Sequence, residues 1–179
     1  KIDSTNISVA PALTLDRNAI LFTSAENGRK DDAVDAALTA VEDAVNGVDD
    51  TVWGLTFLDN SRHFTVQERA AAVHPGDTVQ ITYSGAETGE NEYVSAMIVD
   101  EDDNILYYGR IAHNSESGMA EIAAPDGLEK DKIYTLKVFS EQYNGENQSS
   151  FASAFCDLDF AVTDKPIVTV RTNGHGTAY

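Results

Sequence analysis

Chemistry, if the chain performs any, has its best raw material in one loop. Glu141-Gln142-Tyr143-Asn144-Gly145-Glu146-Asn147-Gln148 combines an aromatic ring with amides and carboxylates, the inventory of a carbohydrate or calcium site. Tyr143, Asn144, Glu146 and Asn147 are the candidate ligand-binding residues. An ordinary long hairpin has the same inventory. Tyr107, Tyr108, Phe151 and Trp53 could add a platform for sugar stacking, although strand alternation sends Tyr107 and Tyr108 to opposite faces.

Other constellations fail on spacing. Asp100, Asp102 and Asn104 imitate the front half of a calcium loop, but Ile105 stands where the sharp turn needs glycine, and Ile111 replaces the bidentate glutamate, so no EF-hand forms. The stretch reads as an acidic hairpin tip. His63, His74, His113 and His175 share no metal-ligand spacing, and none neighbours Cys156. Ser24, Ser61, Ser95 and Ser140 lack the turn that exposes a hydrolase nucleophile, and Gly85, Gly89 and Gly109 follow no phosphate-loop pattern. Lys137 would need an asparagine partner and a buried carboxylate for an isopeptide bond, and alternation turns it outward with Thr135. No catalytic residue, metal ligand or cofactor is therefore assigned, and a non-catalytic role is expected.

Bulk charge narrows the partners. Among 179 residues, 30 Asp and Glu stand against 12 Lys and Arg, a formal charge of −18. Such a chain repels phosphate backbones and anionic membrane surfaces, so nucleic acid is not an expected partner. No run approaches the roughly 20 apolar residues of a spanning helix, and no membrane insertion is expected of this segment. Cys156, the only cysteine, lies in an apolar run and should be a buried thiol without a disulfide partner.

The elements that must hold these residues are mostly strands. Ile7–Leu15 and Ala19–Thr23 read as short strands around the turn-like Asp16-Arg17-Asn18, with Pro11 demoting the first to an edge. Asp31–Val48 reads as an amphipathic helix: Val34, Leu38, Val41 and Val45 form a stripe with Ala37 and Ala44, Asp31 and Asp32 suit its start, and Asn46-Gly47 its stop. From Thr51 the period becomes two. Trp53, Leu55 and Phe57 alternate with smaller residues, which predicts a buried Trp53.

Val66–Val73 fits a helical turn or a strand pair. His74-Pro75-Gly76-Asp77 is a turn, and Thr78–Ser84 a strand. Glu92–Val99 and Asn104–Ile111 make a hairpin around Asp100–Asp103, Met119–Ala124 is a further strand, and Ile133–Ser140 turns Tyr134, Leu136 and Val138 inward. Phe151–Val162 is a strand with one irregularity. Turn signals at regular spacing give about seven strands and predict a mainly β, antiparallel, immunoglobulin-like sandwich preceded by one helix. Its expected core comprises Trp53, Tyr83, Leu136, Val138, Phe155 and Phe160. Ile167–Thr172 is one more strand, without a partner after it, as expected of a longer natural chain.

Tyr93–Val162, with EYVSAMIVDEDDNILYYGRIA, YTLKVFSEQYNG, FASAF and DLDFAV, resembles a module that recurs in long surface proteins of gut Firmicutes. Trp53–Asp59, within VWGLTFLDNSR, is similar to its first strand. Ile7–Ala25, with VAPALTLDRNAILFTSA, resembles the last strands of a preceding domain of C-type-lectin or sulfatase-modifying type, with Ala10 where that pattern has arginine. Ile167–Ala178, IVTVRTNGHGTA, resembles the opening of an internalin-type surface repeat. These resemblances imply a domain plan of 1–30 as the end of a preceding domain or a packed extension, 31–50 as helix and linker, 51–163 as the sandwich and 164–179 as the start of a repeat. They imply an extracellular protein at the bacterial cell surface, non-catalytic, acting as spacer or adhesion unit. Flanking domains of the same chain, and host or cell-wall glycans or proteins, are then its partners; the alternative is a carbohydrate-binding module using the Tyr143 loop.

Overall fold

A computed structural model describes residues 16–25, 33–41, 53–145 and 148–167. After a single 3-10 turn at Arg17–Ala19, the strands in chain order are β1 (Ile20–Ala25), β2 (Thr39–Ala40), β3 (Trp53–Leu58), β4 (Thr65–Val66), β5 (Ala70–Val73), β6 (Thr78–Ser84), β7 (Glu92–Val99), β8 (Ile105–His113), β9 (Ser117–Ala123), β10 (Ile133–Gln142), β11 (Ser150–Ala152) and β12 (Cys156–Val162). The chain is thus mainly β, as its period-two runs predict. The first expected strand, Ile7–Leu15, and the last, Ile167–Thr172, fall outside the described residues except for Ile167.

Two sheets share one core. The smaller runs β4-β6-β9 and the larger β1-β3-β11-β10-β7-β8-β2, with β12 pairing β10 on one side and β5 on the other. Ile81, Tyr83, Ala120 and Ile122 from the small sheet meet Ala96, Ile98, Leu136, Val138, Leu158 and Phe160 from the large one. These are alternate residues of their strands, so one face of each sheet is apolar. Burial of each large side chain contributes about 1.5–3 kcal/mol. The opposite face of the large sheet carries a second cluster, Met97, Val99, Tyr108, Phe139 and Ala152, against which Leu21, Phe22, Ile105 and Phe155 pack.

Local chemistry sets the corners. Asp77 N–H donates to His74 O at 3.0 Å, and Gly76 supplies the positive φ of 82° that a Pro-Gly turn requires at its third position. Asp100 shapes the hairpin tip by accepting from the backbone of Asp102 at 3.0 Å and Asn104 at 2.9 Å. The Asn104 side chain also donates from Nδ2 to Asp100 Oδ2 at 3.0 Å, and this bond first, with the backbone bonds after it, holds the Asp100 carboxyl below the usual carboxylate range.

Three expectations need correction. The stretch 33–41 of the expected helix is extended instead: Val34 bridges Arg110, Thr39–Ala40 pair with Tyr108 and Tyr107, and Ala123 N–H donates to Ala36 O at 2.8 Å. Its described residues form no buried stripe, since Val34 is 45% and Val41 41% exposed while Leu38 is buried at the edge of the core, above Gly109. An alanine-rich stripe offers little burial to stabilise a helix, and the unpaired edge of β8 satisfies the backbone better. Asp35 adds a local bend by accepting from Ala37 N–H at 3.2 Å. The rest of the expected helix lies outside the described residues.

Trp53 is not in the core. It is 42% exposed, whereas Thr56, on the opposite side of β3, is buried. Alternation gave the period correctly but not which face meets the protein. Of the other expected core residues Tyr83, Leu136, Val138 and Phe160 are buried, and Phe155 is half-buried on the second cluster.

The strand number is also higher, with ten strands from β3 to β12 among the described residues. Val66–Val73 resolves into the pieces β4 and β5 on different sheets, and Phe151–Val162 divides into β11 and β12. The irregularity is where β10 changes its edge partner. Val138 still pairs with Cys156, Glu141 already with Ala152, and Ser153 seals the changeover by donating its N–H to Ser140 O at 2.9 Å.

Candidate functional site

Polar chemistry is concentrated where β7, β8 and β10 lie side by side. Their register sets Ser95 opposite Arg110 on β8 and Phe139 on β10, and Tyr93 opposite His113 and Glu141. Glu141 is fully buried. It accepts from Tyr108 Oη at 2.6 Å and Ser95 Oγ at 3.0 Å. Burial, reinforced by the adjacent Glu141 charge, pushes the Tyr108 hydroxyl well above its ordinary pKa, so it is a fixed donor and not a nucleophile.

Arg110, 1% exposed, lies over the rings of Tyr93 at 4.0 Å and Tyr143 at 4.7 Å. Tyr93 also stacks with His113 at 4.7 Å. The guanidinium thus ties β7, β8 and the start of the Tyr143 loop through cation–π contacts, which are strongest when desolvated.

A second group lies at the same end of the large sheet. Arg62 donates to Glu92 in a two-pronged pair, Nη1 to Oε2 at 2.7 Å and Nη2 to Oε1 at 3.0 Å, and to Ser140 Oγ at 3.3 Å. Burial disfavours its charge, but the hydrogen bonds and charge of Glu92 more than offset this and leave the Arg62 pKa raised. Asp59, 3.4 Å from Arg62 Nε, has its carboxyl lowered first by Ser61. These groups cross-link strands. Glu141 and Ser95 are closed to solvent.

Of the four residues singled out in the sequence, two are placed. Tyr143 is half-buried with its ring engaged by Arg110. Asn144 folds back on its own loop, donating from Nδ2 to Ser149 O at 2.8 Å. Glu146 and Asn147 lie outside the described residues. Lys137 is paired with Asp157 at 3.2 Å and Asp103 at 3.7 Å and lies over Phe155. Cys156 is half-buried and not fully buried as expected; burial raises its pKa, so it remains a thiol.

Among the described residues no three His, Cys, Asp or Glu side chains are grouped to hold a metal ion, and no helix is long and apolar enough to cross a membrane. An open cleft of about 220 Å³ between Ser61, His63, Glu87, Thr88 and Glu116 is shallow and polar. Gly85 beneath it has φ 74°, and a Cβ there would meet His63 O at 2.3 Å.

Sequence reading missed Glu92, Arg110 and Glu141 as a buried set. The available signal was Arg110, the lone Lys, Arg, Asp or Glu of the run Ile105–His113, on the strand next to one that opens with Glu92. No protein-family model and no curated protein matches the chain.

Proposed function

We propose that the chain is a non-catalytic structural module of a secreted bacterial cell-surface protein, an immunoglobulin-like sandwich acting as a spacer that resists extension. The observation that carries this reading is the parallel pairing of β5 with β12, Ala70 opposite Asp159 through Val73 opposite Val162, together with parallel β3 and β11. Tension on the chain ends draws the first strand of each pair one way and the second the other. Their hydrogen bonds are then loaded together, in shear.

The immunoglobulin-like assignment has two supports. The strand orders β4-β6-β9 and β12-β10-β7-β8 match its two layers. At the start of β10, Glu129 N–H donates to Tyr134 Oη at 3.1 Å, a contact similar to the tyrosine corner of such sandwiches. The cell-surface assignment rests on the resemblance of Val52–Thr163 to surface modules, with which the acidic composition agrees. A glycan site on the Tyr143 loop has less support, because Arg110 and Ser149 already engage Tyr143 and Asn144.

Single-molecule stretching tests the spacer reading. Asn91 and Asn114 flank the open end of the β7–β8 hairpin, where Asn114 N–H donates to Glu92 O at 3.0 Å. Handles at Asn91→Cys and Asn114→Cys, in a Cys156→Ser background, unzip that hairpin pair by pair. Extension through the chain ends should require a clearly higher force; an equal or lower one would sink the reading.

A further inference from the structure

The outward side of β3 is unusual in what it displays. Trp53, Leu55 and Phe57 alternate onto one face, away from buried Thr56, and β11 sets Phe151 beside Phe57 with ring centroids 6.3 Å apart. Trp53 is 42% and Phe151 39% exposed. Next to them β1 offers Thr23, exposed and opposite Leu55. Trp53 and Phe57 are four residues apart, about 13 Å along an extended strand.

We propose that this row is a stacking face for a linear, uncharged glycan. The exposed area decides against a second copy of the chain. Side chains of this size present 150–250 Å² when free, so Trp53 and Phe151 at these exposures show on the order of 60–100 Å² each. A stable protein partner covers about 800 Å² per side. A narrow row of rings instead suits a chain ligand with an apolar C–H face and hydroxyl edges, one sugar against one ring, with Thr23 beside the row to meet a hydroxyl. Net charge −18 repels anionic polymers, so the glycan is uncharged. This site is distinct from the Tyr143 loop and goes beyond the spacer role.

The test is native electrophoresis of the full chain through gels containing hydroxyethylcellulose, galactomannan or dextran, with polygalacturonate as the anionic comparison. Fluorescence of Trp53, the only tryptophan, is followed in solution. At least one uncharged polymer should retard the protein and shift that emission. Trp53→Ala and Phe151→Ala should each weaken retardation about tenfold, equivalent to about 1.4 kcal/mol. Trp53→Tyr should retain binding and Tyr143→Ala leave it unchanged, with circular dichroism showing each variant folded. No retardation by the three uncharged polymers, retardation by polygalacturonate alone, retardation of the Trp53→Ala and Phe151→Ala variants equal to that of the parent, or light scattering that finds a dimer dissolved by Phe151→Ala would each overturn the proposal.

Discussion

Replacing Glu92 by glutamine should be among the most damaging conservative changes in the protein. The substitution keeps shape and removes only charge, leaving Arg62 with Asp59 at 3.4 Å, whose side chain is 34% exposed and solvent-screened. The Arg62 and Glu92 side chains are 5% and 9% exposed. Loss of one partner from a buried pair typically costs about 3–5 kcal/mol, and the remaining Asp59 contact argues for the lower end, about 3. With a urea slope of about 2 kcal/mol per molar, the unfolding midpoint should fall by about 1.5 M. Urea titration followed by circular dichroism measures this. The double variant Arg62→Met with Glu92→Leu removes both charges and should recover to within about 2 kcal/mol of the parent. A Glu92→Gln loss below about 1 kcal/mol would mean that the pair behaves as a solvated surface bridge, and the reasoning fails.

Tyr108→Phe removes a donor from buried Glu141 and should cost about 1–3 kcal/mol by urea titration. In alkaline absorbance titration of the folded protein it should leave the tyrosinate signal unchanged, because Tyr108 stays protonated until the fold is lost; a smaller signal contradicts its raised pKa. Gly85→Ala, where a positive φ and the His63 carbonyl both oppose a side chain, should destabilise by about 2 kcal/mol or more, read as a lowered melting temperature. Trp53→Ala should cost only about 1 kcal/mol, against the several that burial would give; a large loss would restore the core placement. Asp59, Asp100 and Asp131 have folded pKa values below their ordinary one, so their stabilisation is complete above the carboxylate range and is lost as pH falls through those values. Melting temperatures should therefore hold near neutrality and drop below about pH 4, and a flat profile into stronger acid would contradict the assignment.

The carbohydrate inventory of the Tyr143 loop was legible, but its commitments were not. Tyr143 meets Arg110 from a strand more than thirty residues earlier, and no local pattern links them. The same holds for Glu141, which sequence places at the mouth of a loop and the structure closes off among Tyr108 and Ser95.

Sequence by itself determined the β class and the inward set Tyr134, Leu136 and Val138 through period-two runs, and the Pro75-Gly76 turn and the Asp100–Asp103 hairpin through their turn residues, because these follow from backbone geometry within a few residues. Tertiary structure decided the rest. Whether Val34–Val41 coils or extends depended on the free edge of β8, which helix propensity does not contain. Which side of β3 is the outside depended on what else could cover it, so the same alternation that marks Trp53 as special leaves it facing solvent.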